Sequence, residues 1–354
     1  MTQKLKKRVL LFISIAFIAT GFSQTKEAKI DKLLNEKFNS NTSGATILIT
    51  QKGKPIYRKA FGLANLELNI KMTPENVFEI GSMTKQFTAV SILMLLEQGK
   101  IKLTDEITKF IPDYPTHGHK ITVHHLLNHT SGIKSYTSMR KLFAVARNDM
   151  KPLELIKFFR DEPMDFNPGE KYKYNNSAYI ILGYIIEQTS GISYAEYVQK
   201  NIFDTLGMSN STYASHTKLI QNRASGYHNR NGYQNARYIS HTLPYAGGSL
   251  MSTIDDLNTW QQALTNNKLL KKETLQKAHT NHILNNGEKI NYGYGWNIKA
   301  INSKVSYEHG GSIFGFKSMA VYIPSKEIYV VTLTNCDCIS PTKMTREITK
   351  IILE

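Results

Sequence analysis

The chain has 354 residues, of which 41% are hydrophobic and 20% are charged, and its formal net charge is +16. This length is sufficient for a large core in one domain or in two closely joined ones, and the sequence contains no repeat or low-complexity run. The basic charge is suited to anionic polymers or acidic substrates, but the absence of any nucleic-acid-binding motif in the sequence argues against a nucleic-acid partner.

The start of the chain has the layout of a secretory signal peptide. A basic cluster at residues 4–8 precedes an apolar stretch at residues 9–18, and small or polar residues follow through Ser23. Because the apolar stretch is short for a membrane span, we expect a leader at residues 1–23 and an exported protein of the periplasm or cell envelope. The alternative is an uncleaved N-terminal anchor, and only in that case do we expect contact with a membrane.

The remaining predicted elements place strands near both ends of the chain and helices in the middle. In chain order they are a helix at 28–38, strands at 45–50 and 56–61, helices at 82–98 and 178–188, strands at 317–323 and 327–334, and a helix at 344–353. We therefore expect an α+β fold with one antiparallel sheet, built from the N- and C-terminal segments and flanked by helices. The sheet lobe would span about 24–98 and 290–354, beside an all-helical lobe at about 100–260, with a cleft between them.

A serine and a lysine stand three residues apart at the start of the first long helix after the hairpin. Ser82 and Lys85 would share one helix face, with Cβ atoms about 5–6 Å apart. Such a serine becomes a nucleophile when desolvation or a nearby cation removes the proton of the lysine, and the helix N-terminus stabilises developing negative charge. The spacing alone is equally typical of an N-cap serine with a surface lysine.

A tyrosine and an asparagine precede the apolar helix in the middle of the chain. Tyr174 would act as a general base if a cation such as Lys85 lowered the pKa of its phenol. Asn176 has an amide that donates to a substrate carbonyl or holds the lysine. Alone, this pair is a weak indication of function because the chain contains 19 tyrosines.

A glycine-rich segment precedes the late strands. His309, Gly311 and Ser312 stand in this segment. Glycine allows a backbone to approach a ligand closely, and an N–H at a strand edge completes an oxyanion hole with the N–H of Ser82. The same pattern also occurs in simple turns and bulges.

Taken together and in this order, the three motifs resemble those of the serine β-lactamase and penicillin-binding protein family. Within this family, they resemble the branch of class C β-lactamases, D-alanyl-D-alanine carboxypeptidases and related esterases. The similarity covers nearly all of the chain after the leader, with segments LLNHTSGI at 126–133, NPGEKYKYNNSAYIILGYIIEQTSG at 167–191, LGM at 206–208, AGGSL at 246–250, YGYGW at 292–296 and HGGSIFGF at 309–316. It implies a β-lactamase/transpeptidase-like fold and a serine hydrolase that needs no cofactor and no metal.

The resemblance also implies a role for each motif residue. The implied catalytic residues are Ser82 as nucleophile, Lys85 as its activator and Tyr174 as general base and acid. The implied substrate-binding residues are Asn176, His309, Gly311 and Ser312. The N–H groups of Ser82 and Ser312 would form the oxyanion hole, and the reaction would pass through an acyl-enzyme that water hydrolyses.

One departure from the family pattern bears on the substrate. His309 stands where β-lactamases usually carry lysine, so a permanent cation that would pair with a substrate carboxylate is replaced by a group near neutrality. We therefore expect a small-molecule or peptide substrate, of cell-wall origin or otherwise, that carries an ester, amide or D-amino-acid peptide bond. The alternatives are a true β-lactamase and a non-catalytic cell-envelope binding or sensing domain. The sequence leaves the oligomeric state open.

Two other groups of residues suggest sites but are expected to be structural. His124, His125 and His129 lack the glutamate of a zinc-protease motif, so capping or core roles are expected. Cys336 and Cys338 stand in a strand-like run, where a bridge between alternate residues is geometrically poor, and they are expected to be unpaired.

Overall fold

The structure is a computed structural model that describes residues 26–354. The signal peptide predicted at residues 1–23 lies outside the described residues. Within residues 26–354, none of the helices has both the length and the apolar character needed to cross a membrane.

Helices occupy much of the middle of the chain and also flank the sheet at both ends. Residues 26–35 are helical and are named α1. The other α-helices are α2 at Thr84–Glu97, α3 at Val123–Leu127, α4 at Leu142–Val145, α5 at Pro152–Arg160, α6 at Asn176–Ser190, α7 at Tyr194–Val198, α8 at Ile254–Thr265, α9 at Lys272–Ala278 and α10 at Pro341–Leu353. A π-helical turn at Gln199–Asp204 follows α7, and short 3₁₀ turns lie at Gly81–Met83, Ile107–Lys109, Tyr136–Ser138, Tyr245–Gly247 and Pro324–Lys326.

The strands form one large sheet and three small ones. They are β1 at Ala45–Gln51, β2 at Lys54–Phe61, β3 at Leu63–Asn65, β4 at Ile70–Lys71, β5 at Phe78–Glu79, β6 at Thr212–Tyr213, β7 at Tyr227–Asn229, β8 at Tyr233–Asn235, β9 at Leu250–Ser252, β10 at Asn297–Ile301, β11 at Lys304–Ile313, β12 at Phe316–Ile323 and β13 at Ile328–Thr334. The six-stranded sheet has the order β10-β11-β12-β13-β1-β2, and all of its neighbouring strands are antiparallel. Strands from both ends of the chain therefore meet between β13 and β1, which confirms the predicted α+β fold.

The large sheet is apolar on both faces because a core lies on each side of it. Along β1, Ala45, Ile47 and Ile49 face a core shared with α1 and α10, whereas Leu48 faces a larger core that contains α2. Alternate strand residues point to opposite faces, so a strand covered on both sides reads as a continuous apolar run. Helix α2 is buried around nearly all of its circumference, and this packing fixes the segment before it, which carries Ser82.

Some element boundaries differ from those predicted. Ser82 lies in the 3₁₀ turn Gly81–Met83, and the α-helix begins only at Thr84. Helix α10 begins at Pro341, three residues earlier than predicted, since proline is favourable in the first helical turn. The short strands β6 to β9 in the middle of the chain were not predicted, because two or three residues are too few to show alternation.

The prediction that Cys336 and Cys338 are unpaired is wrong, because their sulfur atoms form a disulfide bond. Strand β13 ends at Thr334, so both cysteines lie in the turn that follows it rather than along a strand. This turn brings their Cα atoms to 5.2 Å, which lies within the range that a disulfide bridges. The residue between them, Asp337, is therefore held by a covalent bond between its two neighbours.

Candidate active site

Ser82 is positioned by a buried glycine and by strand β11. Gly81 has a φ of +52°, a left-handed conformation that favours glycine. A Cβ atom on Gly81 would lie 2.8 Å from the backbone nitrogen of Ser312, so the turn that carries Ser82 lies directly against β11. The first and third sequence motifs therefore meet at Ser82.

Lys85 makes three close polar contacts, all of which involve its Nζ atom. The Nζ atom lies 3.2 Å from Ser82 Oγ, 2.9 Å from Asn176 Oδ1 and 2.7 Å from the carbonyl oxygen of Gly247. The side chain is fully buried, and among residues 26–354 no carboxylate forms an ion pair with it. Burial lowers the pKa of Lys85 to about 7. A neutral Lys85 would donate to the two carbonyl oxygens and direct its lone pair at the hydroxyl of Ser82.

The second motif is held by the start of helix α6. Asn175 caps this helix, because its side chain accepts a hydrogen bond from the backbone N–H of Ala178. Asn176 is the first residue of the helix, and its Nδ2 donates to Thr137 Oγ1 at 3.0 Å while its Oδ1 accepts from Lys85. The expected role of Asn176 in holding the lysine therefore agrees with the observed contacts.

Tyr174 does not meet the condition under which it was expected to act as a base. Its Oη atom is buried and has no hydrogen-bond partner among the described residues. Burial raises the pKa of the phenol, and the opposing effect of the Ser82 hydroxyl is smaller. Lys85 Nζ lies 5.0 Å from the ring centroid, over the face of the ring rather than beside Oη. Tyr174 is therefore a neutral phenol at neutral pH.

His309 is buried and uncharged. Its Nδ1 lies 2.7 Å from the carbonyl oxygen of Gly310 and must donate, since a carbonyl only accepts. Its Nε2 then accepts from the hydroxyl of Tyr292 at 3.1 Å. Burial, with a smaller effect of the charge of Lys85, lowers the pKa of His309 to about 3. Both ring nitrogens are occupied, so His309 supports the site instead of offering a charge to a substrate.

Gly311 permits the close approach of β11 to the segment before Ser82. A Cβ atom at this position would lie 1.9 Å from the carbonyl oxygen of Ile80 and 2.5 Å from Ser318 Oγ. Ser318 Oγ in turn donates to the same carbonyl at 2.7 Å. The next residue, Ser312, lines the same pocket as Ser82, which is the arrangement that an oxyanion hole built from their two N–H groups requires.

A pocket of about 310 Å³ opens beside Ser82. Its lining includes Ser82, Asn176 and Ser312, but neither Tyr174 nor His309. Most of its wall is apolar, formed by Leu142, Phe143, Ile239, Leu243, Ile313 and Phe314. The pocket is therefore suited to an apolar group on a molecule that is bonded to Ser82 Oγ.

Part of the surroundings of the site could not be predicted from the sequence. The acceptor at Gly247 is a backbone carbonyl, so no side chain marks it in the sequence. The rings of Tyr179 and Tyr292 pack around His129, with centroids 5.1 Å and 4.7 Å from that of the His129 ring. In the sequence, Tyr292 stands out only as part of a YGYGW segment that is similar to the family.

His125 and His129 make hydrogen bonds that support the fold. His129 Nδ1 accepts from the backbone N–H of Asn175 at 3.1 Å, and His125 Nδ1 accepts from that of Thr122 as part of the cap of α3. Within the described part of the chain, no group of three metal-ligating side chains is close enough to hold an ion.

These features define a class of protein. Three of them are typical of the serine β-lactamase and penicillin-binding protein fold. They are a Ser-x-x-Lys turn at the start of a buried helix, a Tyr-x-Asn motif packed against the lysine, and a glycine-rich strand beside the serine. Residues 27–345 match the family described as Beta-lactamase. The chain belongs to this family, and the resemblance found in the sequence is confirmed.

Known relatives agree with this assignment. Penicillin-binding protein 4* of Bacillus subtilis is 29% identical over 273 residues, which cover 70% of this chain and 58% of that protein. The octameric penicillin-binding protein homologue from Pyrococcus abyssi has a TM-score of 0.78 and 32% identity, over 93% of this chain and 77% of that one. For the penicillin-binding protein from Bacillus halodurans the TM-score is 0.79 and the identity 26%, over 90% and 98% of the two chains. The chain thus spans little more than half the length of its Bacillus subtilis relative.

Proposed function

We propose that this chain is an exported serine hydrolase, in which Ser82 is acylated by an ester, amide or D-amino-acid peptide and water then releases the acid. The observation that carries the proposal is the buried Nζ atom of Lys85, 3.2 Å from Ser82 Oγ and without a carboxylate partner among residues 26–354. Burial lowers the pKa of Lys85 to about 7, so a large fraction of the enzyme holds a neutral amine beside the serine at neutral pH.

The chemistry has two steps. Ser82 Oγ forms a bond to the acyl carbon while its proton passes to Lys85 Nζ, and the N–H groups of Ser82 and Ser312 stabilise the oxyanion. The bond to the leaving group breaks as that group takes the proton from Lys85. Water then attacks the acyl carbon and gives a proton to Lys85 Nζ, and Lys85 passes this proton to Ser82 Oγ as the bond between Oγ and the acyl carbon breaks, which releases the acid and restores Ser82.

The third motif supports a substrate without an obligatory carboxylate. His309 is neutral and has both ring nitrogens occupied, so it offers no positive charge to the carboxylate of a β-lactam or of a D-alanyl-D-alanine peptide. A charged hydrogen bond to such a carboxylate is worth about 1.5–3 kcal/mol, and the lack of one lowers the specificity constant accordingly. Esters and amides of uncharged leaving groups are therefore the favoured substrates.

The proposal is tested by measuring turnover of nitrophenyl esters, D-amino-acid amides, D-alanyl-D-alanine peptides and a chromogenic cephalosporin. We expect turnover of esters or amides that falls by at least 10³-fold in Ser82→Ala and is unaffected in Ser209→Ala, which alters an exposed serine. Absence of any Ser82-dependent turnover would contradict the proposal and favour a binding or sensing domain. Fastest turnover of the cephalosporin would identify a true β-lactamase instead.

A further inference from the structure

We propose that Asp337 binds a protonated amine on the acyl part of the substrate. The enzyme would then prefer acyl groups that combine an apolar body with an ammonium group. This inference rests on the proposed function, since it concerns the group that becomes bonded to Ser82.

The pocket beside Ser82 lies on the acyl side of the reacting bond. In the proposed mechanism the proton for the leaving group comes from Lys85, so the leaving group must lie near Lys85. Neither Lys85 nor Tyr174 lines the pocket, whereas Ser82 and Ser312 do. A substrate with its carbonyl oxygen between the N–H groups of Ser82 and Ser312 therefore directs its acyl chain into the pocket.

Asp337 is the one charged residue in the lining of this pocket, within the part of the chain that the structure describes. The Asp337 side chain is 20% exposed, so it is not closed off from solvent. The surrounding wall is apolar and lowers the local dielectric constant, which strengthens the attraction between a carboxylate and a bound cation. An acid in this position is suited to an ammonium group and repels a carboxylate.

The negative charge of Asp337 is not neutralised by the protein. Its Oδ2 accepts a hydrogen bond from His228 Nδ1 at 2.6 Å. The other ring nitrogen of His228 accepts from the backbone N–H of Arg237 at 3.1 Å, so it carries no proton and the imidazole is neutral. Among residues 26–354, no lysine or arginine nitrogen lies within 4 Å of this carboxylate, and no hydrogen bond reaches Oδ1.

The backbone holds Asp337 in place. The disulfide joins its two neighbours, Cys336 and Cys338. Its own N–H donates to the carbonyl oxygen of Tyr227 at 3.1 Å. A carboxylate fixed at both its backbone and Oδ2 loses little conformational freedom when it binds a cation, and this favours affinity.

The test compares substrates that differ only in the amine. The 4-nitrophenyl esters of leucine and of 6-aminohexanoic acid carry the amine next to the carbonyl or far from it, and the 4-methylpentanoyl and hexanoyl esters are their uncharged counterparts. The ratio of kcat/KM for each amine ester to that for its counterpart is measured near pH 7. The variant is Asp337→Asn, which keeps an oxygen that accepts from His228 and so retains the local hydrogen bond. Asp161→Asn is the matched control, because it removes the same charge from a side chain that is 77% exposed.

We expect a ratio of about 10 to 100 for at least one amine position in the unaltered enzyme, a fall toward 1 in Asp337→Asn, and no change in Asp161→Asn. The position of the preferred amine identifies its distance from the carbonyl. A ratio near 1 for both pairs, or a high ratio that persists in Asp337→Asn, would overturn the inference. Because the uncharged esters report Ser82-dependent turnover separately, failure of the inference is distinguishable from failure of the proposed function.

Discussion

At the scale of single residues, Lys85 has the environment that departs furthest from that of an ordinary lysine. Its side chain has no exposed surface, and its nitrogen contacts two carbonyl oxygens and one hydroxyl. Desolvation disfavours the charged form, so the pKa falls from its usual value near 10.5 to about 7. The base that the reaction requires is therefore produced by burial alone.

This environment predicts a particular pH dependence. The neutral amine predominates above its pKa, so kcat/KM for an uncharged ester should rise with pH through about 7 and reach a plateau above about 8. Lys85→Arg, whose guanidinium stays charged, should lose at least 10²-fold in kcat/KM across the range. A profile that is flat from pH 5.5 to 8.5, or one that rises only near pH 10, would exclude Lys85 as the base.

The sequence predicted which residues meet in the site better than it predicted their protonation. Ser82, Lys85 and Asn176 were identified from motif spacing, and Ser82 Oγ and Asn176 Oδ1 each lie within 3.2 Å of the lysine nitrogen. The protonation state of Tyr174 depends on the burial of its side chain and on the direction in which its Oη atom points. The spacing of motifs in the sequence defines neither. The carboxylate of Asp337 was missed because it belongs to no motif and reaches the pocket only through the fold.

At the scale of elements, strand β11 and the turn before α2 would together form the proposed oxyanion hole. Gly311 is the contact point, because a Cβ atom there would overlap the carbonyl oxygen of Ile80. Gly311→Ala should therefore displace β11 from Ser82 and lower kcat by about 10²–10³-fold, the usual cost of losing one oxyanion donor. Activity and the melting temperature of the variant are measured together, since displacement of a buried strand also reduces stability.

Gly310→Ala provides the matched control on the same strand. Its nearest contact would be 3.2 Å, to the carbonyl oxygen of Ser318, so a small shift accommodates the added atom. A loss of activity in Gly310→Ala as large as that in Gly311→Ala would show that the close approach at Ile80 is not the cause.

Element positions were predictable where the apolar pattern is long. The apolar runs that form α6, β12 and β13 were found in the sequence, whereas the disulfide was not. The reason is local, because the pairing of Cys336 with Cys338 depends on where β13 ends, and strand ends are set by hydrogen bonds to neighbouring strands.

At the scale of the whole molecule, several histidines are held in uncharged form at buried or half-buried positions. Burial lowers the pKa to about 3 for His241, His279 and His309, and to about 4 for His124 and His282. The unfolded chain has histidine pKa values near 6.5, so between pH 6.5 and 4 it binds more protons than the folded protein. The stability that these groups contribute is present above pH 6.5 and is lost as the pH falls.

We therefore expect the free energy of unfolding to decrease by several kcal/mol between pH 7 and pH 5, on the order that linkage predicts for a few such groups. Denaturant titrations at half-unit pH intervals measure the slope. His279→Phe is the informative variant, since this ring stacks on Tyr307 with centroids 4.1 Å apart and its Nε2 has no partner among the described residues. The slope should be smaller in this variant, and an unchanged slope would contradict the account. Glu79, whose pKa burial raises from 4.5 to about 7, acts in the opposite direction between these two pH values, because there the folded protein holds a proton that the unfolded chain has lost.

The central claim is that Ser82 is the residue that becomes acylated. The most direct measurement is mass spectrometry of the protein after reaction with a fluorophosphonate, followed by peptide mapping of the adduct. One adduct per chain is expected, located on the peptide that contains Ser82 and absent from Ser82→Ala, in which Lys85 remains in place. An adduct that persists in Ser82→Ala, or that maps to another residue, would contradict the account.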